Sequence, residues 1–307
     1  MNNTGTHFAW GMKAGGRPTA DNSATSGAMT ANSVSLNGTL QSSYTPSGSP
    51  SVYPKRMSVN TQTGFSMVDF QFPTSGSGTS TIPHGLSRTP DVIWMKGDYD
   101  GAKSNNYNWD TYWKYLYTGT HAWDSGFMGR VALNNNAVWN NQTGPWNDTR
   151  PTADVFTSTY GSWYQAGSRN IAYCWHAVEG FSSFGQYFGN GKADTNDQRG
   201  PFIHTGFQPT MVIIRNVSQS SRDWIVLAQT LSNGSTRELY QRVALNQTTA
   251  ISTNSATTIT ANFRHNGFHL TDNSGMINTL NEVFVYMAFA EMPEIFGRAP
   301  FDTNMAV

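Results

Sequence analysis

The chain has 307 residues, and its 19 basic and 19 acidic side chains give a formal net charge of zero. A balanced charge argues against nucleic-acid binding, which requires a concentrated positive surface. Charged residues make up 12% of the chain and aromatic residues 13%. Because disordered chains are poor in aromatic residues, we expect most of this chain to fold.

The first 63 residues differ in composition from the rest of the chain. They are rich in Gly, Ser, Thr, Asn and Pro and lack a periodic apolar pattern, so alone they bury too little surface to offset their ordering entropy. A disordered linker and an extended arm that becomes ordered against a partner both fit this composition. Scattered apolar residues favour the docking arm; they are Val34, Leu36, Leu40, Tyr44, Val52 and Tyr53.

The start of the sequence also bears on location. The segment "MNNTGTHFAW" lacks the basic and apolar regions of a signal peptide, which predicts synthesis in a cytoplasm. No apolar run approaches the roughly 18 residues that a membrane-spanning helix needs, so we expect no membrane insertion.

From Gly64 onwards the sequence predicts short β-strands. The apolar runs are rich in β-branched and aromatic residues and include "FSMVDFQF", "DVIWMK", "NIAYCWHAV", "MVIIRNV", "DWIVLAQ" and "EVFVYMAFAE". Turn-forming stretches separate them, for example "SGSG", "SNGS", "HNGF" and "DNSG". Short strands at this spacing indicate an all-β sandwich or barrel.

The pentapeptide Arg-Val-Ala-Leu-Asn occurs twice, at Arg130–Asn134 and at Arg242–Asn246. Each copy is preceded by a proline and a strand with a basic end, and is followed by a tyrosine-bearing strand: Pro90, Lys96 and Tyr173, then Pro209, Arg215 and Tyr286. The order predicts duplicated β-sandwich units over residues 64–180 and 181–292, followed by a short C-terminal tail, 293–307. Two related sheets facing one another and two tandem sandwiches both satisfy this pattern.

An aromatic segment lies within the first unit: Trp109, Tyr112, Trp113, Tyr115, Tyr117, Trp123, Trp139 and Trp146. Alternating aromatic residues in strands fill a core, but Tyr and Trp are also favoured at protein interfaces and sugar-binding faces. The candidates for surface or ligand contact are Trp109, Tyr112, Trp139 and Trp146. We expect Trp139 and Trp146 to be the more exposed, because Asn and Pro flank them.

Patterns that carry catalysis are weak in this sequence. It contains no Gly-x-Ser-x-Gly elbow, phosphate loop or paired-cysteine zinc pattern. The stretch "GDYDGAKSNN" resembles a calcium loop only faintly, because Trp109 stands where the loop requires glutamate. His176 and Glu179 would point to opposite faces of a strand, and the single cysteine, Cys174, is expected to be a buried thiol. The sequence therefore predicts no catalytic, cofactor or metal site, and a protein that is not an enzyme.

The second copy resembles a recurrent family. Its landmarks Gly180–Phe184, Gly206–Pro209, Asn266–Phe268 and Tyr286–Pro293 are similar to a Gly/aromatic-rich β domain of tail-fibre and other virion proteins of marine, cyanobacterial-type bacteriophages. The first copy resembles the same domain through "IPHGLSRTPDVIWMK". The resemblance implies a virion structural protein, made in the host cytoplasm, that serves assembly and host-surface adhesion.

The resemblance also implies partners. It points to a homotrimer that contacts other virion proteins and a host surface glycan or protein. Residues for partner docking would be Phe8 and Trp10 in the arm and Phe296 and Phe301 in the tail. A capsid decoration or cement protein is the alternative structural role, and a glycan-degrading tailspike is the alternative enzymatic role.

Overall fold

The computed structural model describes residues 11–98, 108–114, 116, 130–137, 144–194, 199–231, 238–239, 241–246, 252–253 and 261–290. In these ranges the protein is all-β, as the sequence predicts, and the only helical element is a 3₁₀ turn at Gln229–Leu231. No helix in the described ranges is long and apolar enough to cross a membrane.

The strands before residue 181 are β1 (Val34–Leu36), β2 (Thr39–Leu40), β3 (Arg56–Asn60), β4 (Phe65–Gln71), β5 (Gly78–Pro83), β6 (Val92–Lys96), β7 (Trp109–Trp113), β8 (Val131–Ala132), β9 (Val155–Tyr160) and β10 (Arg169–Trp175). Those after it are β11 (Ser182–Phe188), β12 (Phe202–His204), β13 (Met211–Asn216), β14 (Trp224–Ala228), β15 (Glu238–Leu239), β16 (Gln241–Ala244), β17 (Ser252–Thr253), β18 (Ala261–Arg264), β19 (Gly267–Leu270) and β20 (Val283–Phe289).

Two large sheets form the centre of the protein. The first has the strand order β2-β1-β3-β4-β10-β6-β7-β8, and the second has the order β11-β20-β13-β14-β16-β17. A two-stranded sheet, β5-β9, and a four-stranded sheet, β12-β19-β18-β15, complete the set. The order β4-β10-β6-β7-β8 in the first half therefore has the same connectivity as β11-β20-β13-β14-β16 in the second.

The repeated pentapeptide occupies the same place in both halves. Val131 in β8 lies opposite Thr111 in β7, and Val243 in β16 lies opposite Val226 in β14. The side-chain oxygen of Asn134 accepts the Trp109 amide at 2.9 Å. In the same way, that of Asn246 accepts the Trp224 amide at 2.8 Å. In both halves the motif is thus a strand followed by an asparagine, whose side chain bonds the first amide of the neighbouring strand.

The two tyrosine landmarks are not equivalent. Lys96 lies opposite Ile171, two residues before Tyr173, whereas Arg215 lies opposite Val285, one residue before Tyr286. Because side chains alternate between the faces of a strand, this shift sends the tyrosines to opposite faces of their sheets. Tyr173 packs at the centre of the protein, and Tyr286 packs in the outer core of the second half.

The N-terminal segment is built into the first sheet. β3 pairs with β4 from Arg56–Asp69 to Asn60–Phe65, and β1 runs parallel to β3. The predicted boundary at residue 63 is therefore wrong, because it cuts the β3–β4 hairpin. Of the scattered apolar residues, Val34 and Val52 are buried in the core of their own chain, and Leu36, Tyr44 and Tyr53 are partly buried against it.

The layers follow from three apolar cores. One lies between the first large sheet and β5-β9, and another lies between the second large sheet and the four-stranded sheet. The third, called the central core here, joins the two large sheets; it includes Phe65, Trp113, Trp175, Trp224, Val226 and Val285. The structure combines the two arrangements that the sequence left open: each large sheet packs against a smaller sheet on one face and against the other large sheet on the opposite face.

Polar contacts accompany the central core. The Trp224 indole Nε1–H donates to the Ala132 carbonyl at 2.9 Å, and the Ser221 amide donates to the Asn136 carbonyl at 2.8 Å. The buried Arg215 guanidinium donates to the Ala137 carbonyl, and burial lowers the pKa of Arg215 to about 10. Since Arg215 stays charged at neutral pH, these bonds fix the second half against the end of the β7–β8 region.

Candidate functional site

The described residues of the aromatic segment serve the core more than the surface. Trp146 is only 1% exposed, so the prediction that it is an exposed loop residue is wrong. Its ring lies 6.0 Å from Tyr112 and 6.5 Å from Phe156, edge to face in both cases. The turn that carries Trp146 is drawn inwards because the Thr159 amide bonds the Pro145 carbonyl at 3.0 Å. Tyr112 is buried in the same core, so its ring is closed to a ligand.

Trp109 is the one described surface candidate with an accessible part. It is half-buried, and its ring stacks on Tyr173 at 5.7 Å. Tyr173 continues the stack to Trp175, which in turn stacks on Phe65 at 5.0 Å. The remaining candidates, Trp139, Phe8, Trp10, Phe296 and Phe301, lie outside the described residues.

A buried ionic cluster lies next to Trp109. The Asp110 carboxylate accepts bonds from the Arg130 guanidinium and the Tyr164 hydroxyl, both at 2.5 Å, and from the Trp163 indole at 3.2 Å. The Arg130 guanidinium also lies 4.6 Å from the centre of the Trp163 ring. The buried Asp110 carboxylate is thus surrounded by donors. Its bonds are used to join β7 to the 160–164 turn, which is a structural role.

The buried histidines serve the backbone. The His84 ring lies between the Leu86 amide, 3.3 Å from Nδ1, and the Thr152 carbonyl, 3.3 Å from Nε2. This pattern fits the neutral tautomer that carries its proton on Nε2. Burial lowers the pKa of His84 to about 4, so the ring stays neutral at physiological pH. Burial also lowers the pKa of His176, whose Nδ1 lies 2.9 Å from the Ala177 carbonyl.

A cleft lies where the ends of the two large sheets meet. Its volume is about 360 Å³, at the lower end of small-molecule pockets. Most of the wall is apolar: Met12, Phe65, Trp175, Phe181, Met211 and Phe289. The polar wall has Asn60 and Thr63, whose side chains bond the Lys13 carbonyl at 3.4 and 3.1 Å. The cleft suits an apolar group, and its described lining has no carboxylate, histidine or cysteine.

Neither a metal site nor a reactive thiol is found in the described ranges. They contain no group of three or more His, Cys, Asp or Glu side chains that could hold a metal ion. Cys174 is fully buried, and burial raises the pKa of its thiol far above the ordinary value. The nucleophilic thiolate is therefore suppressed in the folded protein.

Most of the chain matches one protein-family model. Residues 45–293 match the family model described as "Domain of unknown function (DUF7483)". The chain belongs to this family. The match starts before β3, so the hairpin that adds β3 to the first sheet is part of the DUF7483 domain. It covers the second large sheet and the first large sheet except β1 and β2. No curated protein and no solved structure matches the chain.

Proposed function

We propose that this DUF7483 protein is a bacteriophage virion structural protein, similar to tail-fibre components, that serves assembly and host-surface adhesion. The observation that carries the proposal is the use of its reactive side chains. His84, His176 and Asp110 are engaged by backbone groups or by opposite charge, and the cleft between the sheet ends has no carboxylate, histidine or cysteine in its described lining. In the described ranges, the many aromatic residues instead pack into a rigid body.

The architecture supports a structural role in the particle. The two halves share one strand connectivity, and the central core packs them face to face. We propose that they are duplicated units of one β-sandwich design. The N-terminal segment from Gly11 onward adds strands to the first of them. Residues 1–10 and the tail at 293–307 remain the candidates for docking onto other virion proteins.

Adhesion is proposed for the exposed side of Trp109. A half-buried indole that is already stacked on Tyr173 loses little conformational entropy on binding, and it presents a flat apolar face to a sugar or protein. The tail-fibre resemblance implies three copies arranged about an axis, and a trimer would multiply a weak contact through avidity. A capsid decoration role is the second structural candidate, and it needs the same rigid body without a receptor contact.

Particle composition tests the structural role. Purified phage particles from a culture whose phage encodes this chain would be washed, dissociated and quantified by mass spectrometry. We expect the chain at a fixed, multiple copy number per particle. Its absence from particles, alongside abundant protein in the infected-cell lysate, would contradict the structural role.

Activity and adhesion are tested on the purified protein. We expect no release of reducing ends from host polysaccharide; release would favour the tailspike alternative. The purified protein should compete with phage for adsorption to host cells, and Trp109→Ala should weaken this competition at least about tenfold. A matched control is Trp163→Ala, which removes an aromatic ring on the neighbouring ionic cluster. Competition by neither wild type nor variants would leave decoration as the structural role.

A further inference from the structure

The outer face of the four-stranded sheet carries side chains that the core does not use. Ile203, Phe263 and Phe268 point inwards and belong to the outer core of the second half. Because side chains alternate between the two faces of a strand, their neighbours on β12, β18 and β19 point outwards. The outward side chains on these strands include Phe202, His204, Asn262, Arg264 and His269.

Three of these side chains surround a glycine. His204 lies opposite Gly267 on one side, and Arg264 lies opposite Gly267 on the other. Adjacent strands are about 4.8 Å apart, so the backbones of His204 and Arg264 are separated by roughly 10 Å. Both residues are exposed, and Gly267 places no side chain between them.

The Phe202 ring lies over this glycine. A Cβ atom at Gly267 would come within 2.8 Å of the Phe202 Cζ, so the ring extends across the neighbouring strand instead of standing away from the sheet. Aromatic rings cover glycines in this way in twisted sheets. Phe202 is nevertheless 47% exposed. It therefore forms an apolar floor, open to solvent, between the His204 and Arg264 positions.

Arg264 gives this face a positive charge. It takes part in none of the ion pairs found among the described residues. The Asp194 carboxylate, which also reaches this face, is engaged elsewhere: its Oδ1 lies 3.3 Å from the His269 Nε2 and accepts the Gly200 amide at 3.0 Å. A guanidinium matches the planar, two-oxygen geometry of a carboxylate, so the face is complementary to an acidic ligand.

The sandwich design does not require these residues. The two-stranded sheet β5-β9 covers the first large sheet as the four-stranded sheet covers the second. On its outer face Thr79 lies opposite Thr159, and Thr81 lies opposite Thr157. A sheet in this position is thus built with short polar side chains in one half and with a ring and a guanidinium in the other.

We propose that the Phe202 face binds a saccharide that carries a carboxylate. The apolar C–H face of the sugar ring would stack on Phe202, the carboxylate would pair with Arg264, and His204 would bond a hydroxyl. The site lies in the other half from Trp109, so it adds a contact beyond the adhesion proposed above. It depends neither on Trp109 nor on the virion role, because it concerns the purified chain alone.

Isothermal titration calorimetry on the full chain tests the site. The acidic probes are oligogalacturonate, oligomannuronate and sialyllactose, and the neutral probe is maltotriose. We expect wild type to bind at least one acidic probe at least about tenfold more tightly than maltotriose. Phe202→Ala and Arg264→Gln should each raise the dissociation constant for that acidic probe at least about tenfold. Circular dichroism checks that each variant is folded.

Two variants elsewhere on the surface are the matched controls. Phe188→Ala removes a phenylalanine of similar exposure, 51%, from a different sheet, and Arg17→Gln removes an exposed arginine before β1. Both should bind as wild type does. The proposal is overturned if wild type binds none of the acidic probes, or binds maltotriose or a tetraglutamate peptide as tightly as the best of them. It is also overturned if folded Phe202→Ala and Arg264→Gln bind as wild type does, or if the controls lose as much affinity.

Discussion

Trp224 should be the strongest single anchor between the two halves. Its side chain is fully buried, its ring stacks on Trp113 at 6.1 Å, and it meets Trp94 edge to face at 6.4 Å. Its Nε1–H bonds the Ala132 carbonyl of the other half. Trp224→Ala removes all of this and leaves a cavity in the central core. We expect the free energy of unfolding to fall by about 3–5 kcal/mol.

Two further variants separate the causes of that loss. Trp224→Phe keeps a ring but removes the indole donor and leaves the Ala132 carbonyl unpaired, so we expect a loss of about 2–3 kcal/mol. Trp109 occupies the same place in the first half but is only half-buried, and among the described rings it stacks on Tyr173. We expect Trp109→Ala to cost about 1–2 kcal/mol, because less surface is lost and water can fill the gap.

The assay is denaturant unfolding followed by far-ultraviolet circular dichroism, since tryptophan fluorescence would change with the variants themselves. The slope of the unfolding free energy against denaturant reports whether the two halves still unfold together. The reasoning is refuted if Trp224→Ala loses less than about 1 kcal/mol, or if Trp109→Ala costs as much as Trp224→Ala.

Three further predictions concern buried groups. Burial lowers the pKa of His84 to about 4 from 6.5, so between these values only the unfolded chain takes up the proton. The free energy of unfolding should therefore fall as the pH drops, by about 2–3 kcal/mol from this group at pH 4.5. His84→Gln should show a flatter dependence of the unfolding free energy on pH between pH 7 and 4.5. An equally steep dependence in the variant would count against the burial of a neutral His84. Cys174 should react with a thiol reagent at least about a thousandfold more slowly than a free cysteine, until denaturant unfolds the chain; rapid native labelling would disprove its burial. Asn246→Ala should lower the free energy of unfolding by about 1 kcal/mol, and Asn134→Ala by no more than that, because each removes the acceptor of one tryptophan amide. Denaturant unfolding measures both losses, and an unchanged stability of Asn246→Ala would show that the bond is not formed.

The sequence predicts the β class and the relation between the halves from different kinds of signal. Short β-branched runs between turn residues are local, so they locate strands such as β6 and β13. The pentapeptide places β8 and β16 because its asparagine makes the same bond to a tryptophan amide in both. Tyr173 and Tyr286 look equivalent in sequence, but a shift of one residue inverts the face, and only strand pairing reveals it.

The N-terminal segment shows where composition misleads. Its residues are too polar to form a core alone, but β1 and β3 do not need a separate core. They extend the first large sheet at the edge of β4 and pack against the core of that sheet. Trp146 misleads in the opposite way. Its Asn and Pro neighbours are typical of a loop, and the loop does exist, but Tyr112 and Phe156 draw the ring inwards. Both outcomes depend on contacts between distant residues, which a single sequence does not display.

Immunogold electron microscopy of intact phage particles tests the proposed virion role most directly. Antibodies raised against the folded body, residues 11–290, would be applied to purified particles, with particles of an unrelated phage as the control. The account predicts gold at defined, repeated positions on the tail, or on the capsid surface if the decoration role holds. Particles that carry no label, from a preparation in which the antibody detects the chain in infected cells, would contradict it.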